Sequence, residues 1–194
     1  MCYHGIMELT LAKNIAQSLC DLIEPAVSRS EVAGSIRRKK PEVKDIEIVA
    51  RVHDYDLLYK KLSEVGRFIK PSVPDIIDWQ FKPGAKYVRI LLSEGIKLDL
   101  FVASNENWGC LYLMRTGGAV GKDGNSFNGF VPGMFSRWKK LSGGGKMQGC
   151  LPTRLDGTVV SCPEEQDFFD LLDMNFVPPE ERVDKRVIKN YVKN

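Results

Sequence analysis

The most informative pattern in the chain lies at residues 32–49, which read Val-Ala-Gly-Ser-Ile-Arg-Arg-Lys-Lys-Pro-Glu-Val-Lys-Asp-Ile-Glu-Ile-Val. The pattern predicts a strand, a turn with a short basic helix, and a second strand that begins near Asp45. On the second strand the two-residue period places Asp45 and Glu47 on one face and the intervening isoleucines on the other. Two like charges on one spot repel unless a cation lies between them, and oxygen ligands of this kind suit Mg²⁺.

The sequence around this stretch predicts a sheet flanked by helices. Apolar residues recur at helical spacing over residues 10–24, and Pro25 ends that helix. Asp54 is expected to cap a second helix that runs to about Val65. Segments 85–93 and 95–103 predict a β-hairpin turned at Ser93-Glu94-Gly95, because both are rich in Val, Ile, Leu and Tyr. Asp99 lies on the second arm, and we expect it to face the same way as Asp45 and to supply a third carboxylate.

The composition changes after Ala103, where glycines become frequent and mark a second lobe. A hairpin is expected between residues 147–151 and 158–161 across Asp156-Gly157, and the Ser161-x-x-Glu164 spacing predicts a capping box before the last helix. We therefore divide the α+β chain into residues 1–105 and residues 106–194. A helical apolar stripe in the second lobe is expected to pack in the core and contains Phe127, Phe130, Val131, Met134, Phe135 and Trp138.

Length and composition narrow the class of protein. The chain has 194 residues and a net charge of +3, which permits an anionic partner without requiring one. Its five cysteines form no Cys-x-x-Cys pair, and their odd number favours a reduced, intracellular setting. We find no secretion signal and no apolar run long enough for a membrane span. These features predict a soluble protein that does not contact a membrane.

The turn before the acidic strand has the composition of a phosphate site. Glycine at position 34 lets a bulky anion approach the backbone, Ser35 can donate a hydroxyl, and Arg37 and Arg38 add charged donors. Each part alone is ordinary, since turns, solvated basic helices and strands with polar outer faces are common. Together, a phosphate site beside a metal site indicates phosphoryl transfer by two metal ions.

These residues resemble a known family. Ala33-Gly34-Ser35, nine intervening residues and Asp45-Ile46-Glu47-Ile48 resemble the signature of the nucleotidyltransferase superfamily. The Gly-Ser-x-Arg-Arg form, Lys97 two places before Asp99, and segments 110–117 and 164–182 are similar to family X DNA polymerases of the DNA polymerase beta type. The resemblance covers about residues 10–182. It implies a palm with a mixed or antiparallel sheet flanked by helices, plus a small α/β thumb-like lobe, as in the minimal viral members.

The resemblance also implies an activity, which is Mg²⁺-dependent transfer of a nucleotide from a dNTP to the 3′-hydroxyl of a DNA primer-template or gapped duplex. Such a protein is expected to be a monomer in the cytoplasm, the nucleoid or a virus-infected cell, and to fill short gaps in DNA repair. Asp45, Glu47 and Asp99 would hold two Mg²⁺ ions, for which Mn²⁺ can substitute, and Asp99 would serve the ion that activates the 3′-hydroxyl. The implied nucleotide contacts are Gly34, Ser35, Arg38, Thr116, Gly117 and Asn128, and Lys97 would lie near the primer phosphate.

Basic residues of the second lobe are candidates for sequence-independent contacts with DNA phosphates, although a solvated basic surface is an equal alternative. These candidates include Arg137, Lys139 and Lys140. The sequence departs from the family at Glu47, where the polymerases usually have Asp, at Met114-Arg115, where they have aromatic residues, and in an insertion over 119–126. Two alternatives stay open: a nucleotidyltransferase acting on a small-molecule, RNA or protein hydroxyl, and a non-catalytic nucleic-acid-binding module. The presence of all three carboxylates disfavours the second.

Overall fold

The chain divides into two compact units, Met1–Ala103 and Ser104–Asn194, in a computed structural model that describes residues 5–69 and 83–193. Each unit has its own cluster of buried apolar side chains. Within these described ranges, no helix is both long enough and apolar enough to cross a bilayer. Cys2 lies outside the described residues.

The first unit is built on a mixed sheet. Its described strands lie in the order β2-β4-β7-β6-β5, with β4 and β7 parallel and the other neighbours antiparallel. A separate antiparallel pair joins β1 and β3. The α+β class with a mixed sheet flanked by helices is confirmed. The elements are β1 (Met7–Glu8), α1 (Leu9–Ile23), β2 (Val27–Val32), α2 (Gly34–Arg37), β3 (Glu42–Val43), β4 (Asp45–Val52), α3 (Tyr55–Val65), β5 (Gly66–Phe68), β6 (Tyr87–Leu92) and β7 (Lys97–Val102).

Helices α1 and α3 form where local signals predict them. The side chain of Glu8 accepts hydrogen bonds from the first backbone N–H groups of α1, and the helix ends just before a 3₁₀ turn that contains Pro25. Asp54 accepts a hydrogen bond from the N–H of Leu57 at 2.9 Å, and α3 ends at Gly66. The predictions for both helices are confirmed.

The apolar faces of α1 and α3 belong to the same buried cluster as one face of the sheet. On β4 and β7 the residues of that face are fully buried Ile46, Ile48, Leu98 and Leu100. A slip of one residue in either strand would move these side chains out of the core, so their burial fixes the register. The opposite face of the two strands carries polar side chains at their N-terminal ends and the apolar pair Val49 and Phe101 farther along.

The second unit is mainly helical. Its buried side chains come from α4, α5, α6 and the segments that follow α6. Its elements are α4 (Trp108–Thr116), α5 (Phe130–Leu141), β8 (Lys146–Gln148), β9 (Leu151–Thr153) and α6 (Glu165–Leu171), with 3₁₀ segments at Ser126–Asn128, Pro179–Glu181 and Lys185–Asn190.

Three local predictions for the second unit need correction. Phe127 is 79% exposed, because it lies in a 3₁₀ turn and α5 begins only at Phe130. The turn at Asp156-Gly157 is present, but its arms meet in a single bridge between Thr153 and Val159.

The strand that contains Met147 instead pairs with β9 across the tight turn Gly149-Cys150, where both residues have positive φ. Helix α6 is capped one turn later than expected, because Glu164 and Asp167 form its capping box. Ser161 is therefore not the capping residue.

Candidate active site

Two neighbouring strands carry the three carboxylates predicted from the sequence. The register of parallel β4 and β7 pairs Glu47 with Asp99 and Asp45 with Lys97 at the Cα atoms. Residues paired across a sheet point to the same face. Asp45, Glu47, Lys97 and Asp99 therefore share one face, here called the acidic face, as the sequence predicted for the carboxylates.

The turn between β2 and α2 meets the side chain of Glu47. The N–H of Ala33 donates to the carbonyl oxygen of Glu47 at 2.8 Å and holds the turn against β4. Gly34 has φ +60°, a left-handed conformation that is costly for other residues. A Cβ atom on Gly34 would also overlap Oε2 of Glu47. Glycine is therefore required here both by the backbone and by the carboxylate that lies over it.

Ser35 presents a buried hydroxyl that lacks a protein partner. Its Oγ is shielded from solvent and has no hydrogen-bond partner within the described part of the chain. Leaving a buried polar atom unsatisfied costs about 1–3 kcal/mol, so such an atom calls for an explanation such as a ligand. Burial also lowers the pKa of half-buried Arg38, and the negative charges of Glu47 and Asp45 oppose that shift. A hydroxyl and a guanidinium at the same turn suit an anion that carries phosphate oxygens.

Asp99 is held by two side chains from β6. The guanidinium of Arg89 donates from Nε to Oδ1 at 2.5 Å and from Nη2 to Oδ2 at 2.7 Å. The hydroxyl of Tyr87 donates to Oδ1 at 2.6 Å. The hydrogen bond to Asp99 raises the pKa of Arg89, while burial, together with Asp99, raises the pKa of Tyr87. Asp99 is thus bound and neutralised within its own sheet.

Tyr87 and Arg89 were not among the predicted site residues, although the sequence contains a signal for one of them. Arg89 is a lone charge within an apolar strand. It is also as far from Glu94, at the centre of the predicted hairpin turn, as Asp99 is. The antiparallel register places Arg89 directly opposite Asp99. Combining the turn with the strand period would have found this pair.

Asp45 lies among charges of both signs. Burial raises its pKa, and the negative charge of Asp99 raises it further. The positive charges of Arg89, Lys97 and Arg38 act in the opposite direction. The surroundings of Asp45 therefore contain cations that partly balance its carboxylate and those of its acidic neighbours.

The chemistry of the three acidic residues suits a divalent cation, because each offers the carboxylate oxygens that Mg²⁺ prefers. Asp99 differs from the other two, since Arg89 and Tyr87 already bind its oxygens. Consistently, no group of three His, Cys, Asp or Glu side chains is gathered for a metal ion in the ranges 5–69 and 83–193. Metal binding by all three carboxylates would require Asp99 to exchange its partners.

The nucleotide contacts predicted for the second unit take part in packing and loop structure there. Thr116 is fully buried, and the N–H of Gly117 donates to the carbonyl oxygen of Leu113 at 2.7 Å. A Cβ on Gly117 would overlap Val131. The side-chain amide of Asn128 donates to Asp123 at 2.7 Å. Contact of these residues with a nucleotide stays a prediction.

Basic side chains of the second unit gather around a cavity of about 410 Å³. Arg137 and Lys140 of α5 line it together with Lys185 and Lys189 of a 3₁₀ segment near the C-terminus. The residues that line it in the described chain include no acidic side chain. Lys139 is exposed on α5. Lys185 and Lys189 were not among the predicted residues, because they lie in a charged tail without a motif.

No protein-family model matches this sequence, and a search of curated proteins finds no match. The functional interpretation consequently depends on the residues and the geometry of the chain itself.

Proposed function

We propose that this protein is a Mg²⁺-dependent nucleotidyltransferase with a DNA polymerase beta-like fold, which extends the 3′-hydroxyl of a DNA primer from a dNTP. The observation that carries the proposal is the shared face of Asp45, Glu47 and Asp99 on two adjacent parallel strands. The turn that packs on Glu47 contains the unsatisfied Ser35 hydroxyl. Acidic side chains beside a candidate phosphate site support phosphoryl transfer.

Each residue of this site has a chemical task. The three carboxylates would hold two Mg²⁺ ions, or Mn²⁺ in their place, and the bound ions would supply Lewis-acid stabilisation of the reacting phosphate. Ser35 and Arg38 bind oxygens of the triphosphate, and Gly34 lets the turn that carries them pack against Glu47. The primer 3′-oxygen bonds to the α-phosphorus while the bond to pyrophosphate breaks. The hydroxyl proton passes to a carboxylate oxygen of Asp99, and Lys97 neutralises the primer phosphate.

A DNA acceptor is favoured by the basic cavity of the second unit. Lysine and arginine bind backbone phosphates without reading sequence, as short-gap filling requires. The cavity residues Arg137, Lys140, Lys185 and Lys189 supply such charges, and Lys139 adds another on the same helix. In this proposal the second unit serves as the thumb.

The experiment that tests the proposal is extension of a gapped DNA duplex by the purified protein with Mg²⁺ and each of the four dNTPs in turn. We expect addition of the nucleotide complementary to the template base, with release of pyrophosphate. Asp45→Asn should abolish addition, whereas Asp56→Asn, an exposed acid in the first turn of α3, should retain it. Transfer of nucleotide only to another kind of acceptor would contradict the DNA substrate, and no transfer at all would contradict the enzyme.

A further inference from the structure

Both carboxylate oxygens of Asp99 are bound by side chains of the same sheet. Arg89 contacts Oδ1 and Oδ2, and Tyr87 contacts Oδ1. Asp99 is only 4% exposed, so water contributes little to its solvation. An ionised carboxylate has about four acceptor positions, and these hydrogen bonds occupy most of them.

A divalent cation and the Arg89 guanidinium compete for Asp99. Both need the lone pairs of the same oxygens, and their positive charges repel each other at contact distance. The guanidinium occupies both oxygens in this conformation, because the bidentate arginine–carboxylate pair combines two charge-assisted hydrogen bonds. A metal ion can therefore bind both oxygens of Asp99 only after Arg89 has moved away from them.

We propose that Arg89 is an internal counter-ion of Asp99 which a divalent cation must displace, so that Arg89 sets how tightly the acidic face binds metal. The inference rests on the proposed function, since it concerns the same carboxylates. The Arg89 side chain is 14% exposed and so keeps contact with solvent. Once released, its guanidinium is suited to bind a phosphate group with two hydrogen bonds, and a substrate that carries phosphates stabilises the released state.

The test is the affinity of the protein for Mn²⁺, measured without substrate from the electron paramagnetic resonance signal of the free ion. Arg89→Gln should bind Mn²⁺ about tenfold more tightly than the wild type, because it removes a cation that competes for Asp99, and changes to the partners of a metal ligand shift the affinity by about 10–100-fold. Tyr87→Phe should tighten binding by a smaller factor, because it removes one neutral donor. Arg67→Gln on β5 removes the same charge from an exposed position of the same sheet and should leave the affinity unchanged.

Two further variants separate the possible results. In a protein that also carries Asp99→Asn, Arg89→Gln should no longer change the affinity for Mn²⁺, because the carboxylate for which the two cations compete is gone. Arg89→Lys keeps the charge but cannot bond both oxygens in the same plane, so it should bind Mn²⁺ with intermediate affinity and replaces Arg89→Gln if that variant does not fold.

Equal Mn²⁺ affinity of the wild type and both Arg89 variants would overturn the counter-ion role and leave the proposed function standing. Absence of Mn²⁺ binding in the wild type and in every Arg89 variant would overturn the proposed function, and the counter-ion role with it.

Discussion

Each of the two units contains an arginine that binds a carboxylate with two hydrogen bonds, and the two pairs differ in their surroundings. In the second unit, Arg182 binds Oε1 of Glu165 at 2.5 Å and Oε2 at 3.2 Å, and its Nε donates to the carbonyl oxygen of Val177. Its guanidinium lies over the rings of Phe169 and Phe176, 5.2 and 4.8 Å from their centres. In the first unit, Arg89 and Asp99 lie on a sheet face with further charged side chains.

The surroundings decide what such a pair does. Arg182 is completely buried, and its contacts tie helix α6 to the segment that follows it. Aromatic rings surround that pair, and exchange of the partner would leave a charge buried without compensation. Asp99, in contrast, has a second acid, Asp45, close by. A cation that replaces Arg89 can interact with both carboxylates, so the negative charge of Asp99 stays balanced after the exchange. The first pair is therefore suited to function and the second to stability.

The largest expected effect is on the rate of nucleotide addition, which should depend on Asp99 and not on Glu165. Asp99→Asn should slow nucleotide addition by about a hundred- to ten-thousand-fold, because it removes a proposed metal ligand and the candidate proton acceptor. Glu165→Gln should leave the rate of the folded protein unchanged. Both variants are assayed on the gapped duplex at a temperature where circular dichroism shows them folded. Similar losses of rate in the two variants would remove the functional distinction between the pairs.

The free energy of unfolding should depend more on Arg182 than on Arg89, which is the reverse of the order expected for activity. Arg182→Gln should lower the free energy of unfolding by about 3–5 kcal/mol, because it leaves Glu165 charged and buried among apolar groups. Arg89→Gln should cost about 1–3 kcal/mol, since Asp99 keeps the Tyr87 hydrogen bond. Urea unfolding followed by circular dichroism measures both. A larger loss for Arg89→Gln would mean that its pair is also mainly structural.

The acidic face can also be disturbed from the side of Glu47. Gly34→Ala and Gly95→Ala both place a side chain on a residue with positive φ, which costs about 1–2 kcal/mol of stability in each. Only at Gly34 does the new Cβ collide with Glu47, whereas a Cβ at Gly95 has nothing within 4 Å. Gly34→Ala should therefore also lose about a hundred-fold in the rate of nucleotide addition, through displacement of Glu47. Equal rates in the two variants would show that the position of Glu47 is unimportant.

Much of the first unit could be predicted from its sequence, because local signals agree there. Helix α3 has a capping Asp54 and a terminating Gly66, and the two-residue period of β4 separates acidic from apolar side chains. The ion pair between Arg89 and Asp99 was missed, because predicting it requires the register of the β6–β7 hairpin in addition to the composition of each strand.

The second unit was harder to predict because its signals compete. Turns at Gly149-Cys150 and Asp156-Gly157 both contain glycine, and packing rather than composition decides which strands pair across them. The hydroxyl of Ser35, in the first unit, is a different case. The sequence predicts that this serine binds phosphate, but only the folded chain shows that its hydroxyl is buried without a hydrogen-bond partner.

The parallel pairing of β4 with β7 has a consequence for how the chain acquires its chemistry during folding. Asp45 and Glu47 lie together on one strand, whereas Asp99 comes from a strand that follows α3, β5 and β6 in the sequence. Pairing of strands that are distant in sequence closes a long loop, which costs conformational entropy and slows folding. Synthesis of the chain therefore supplies two of the acids before the third, and the complete set requires that β7 has paired with β4.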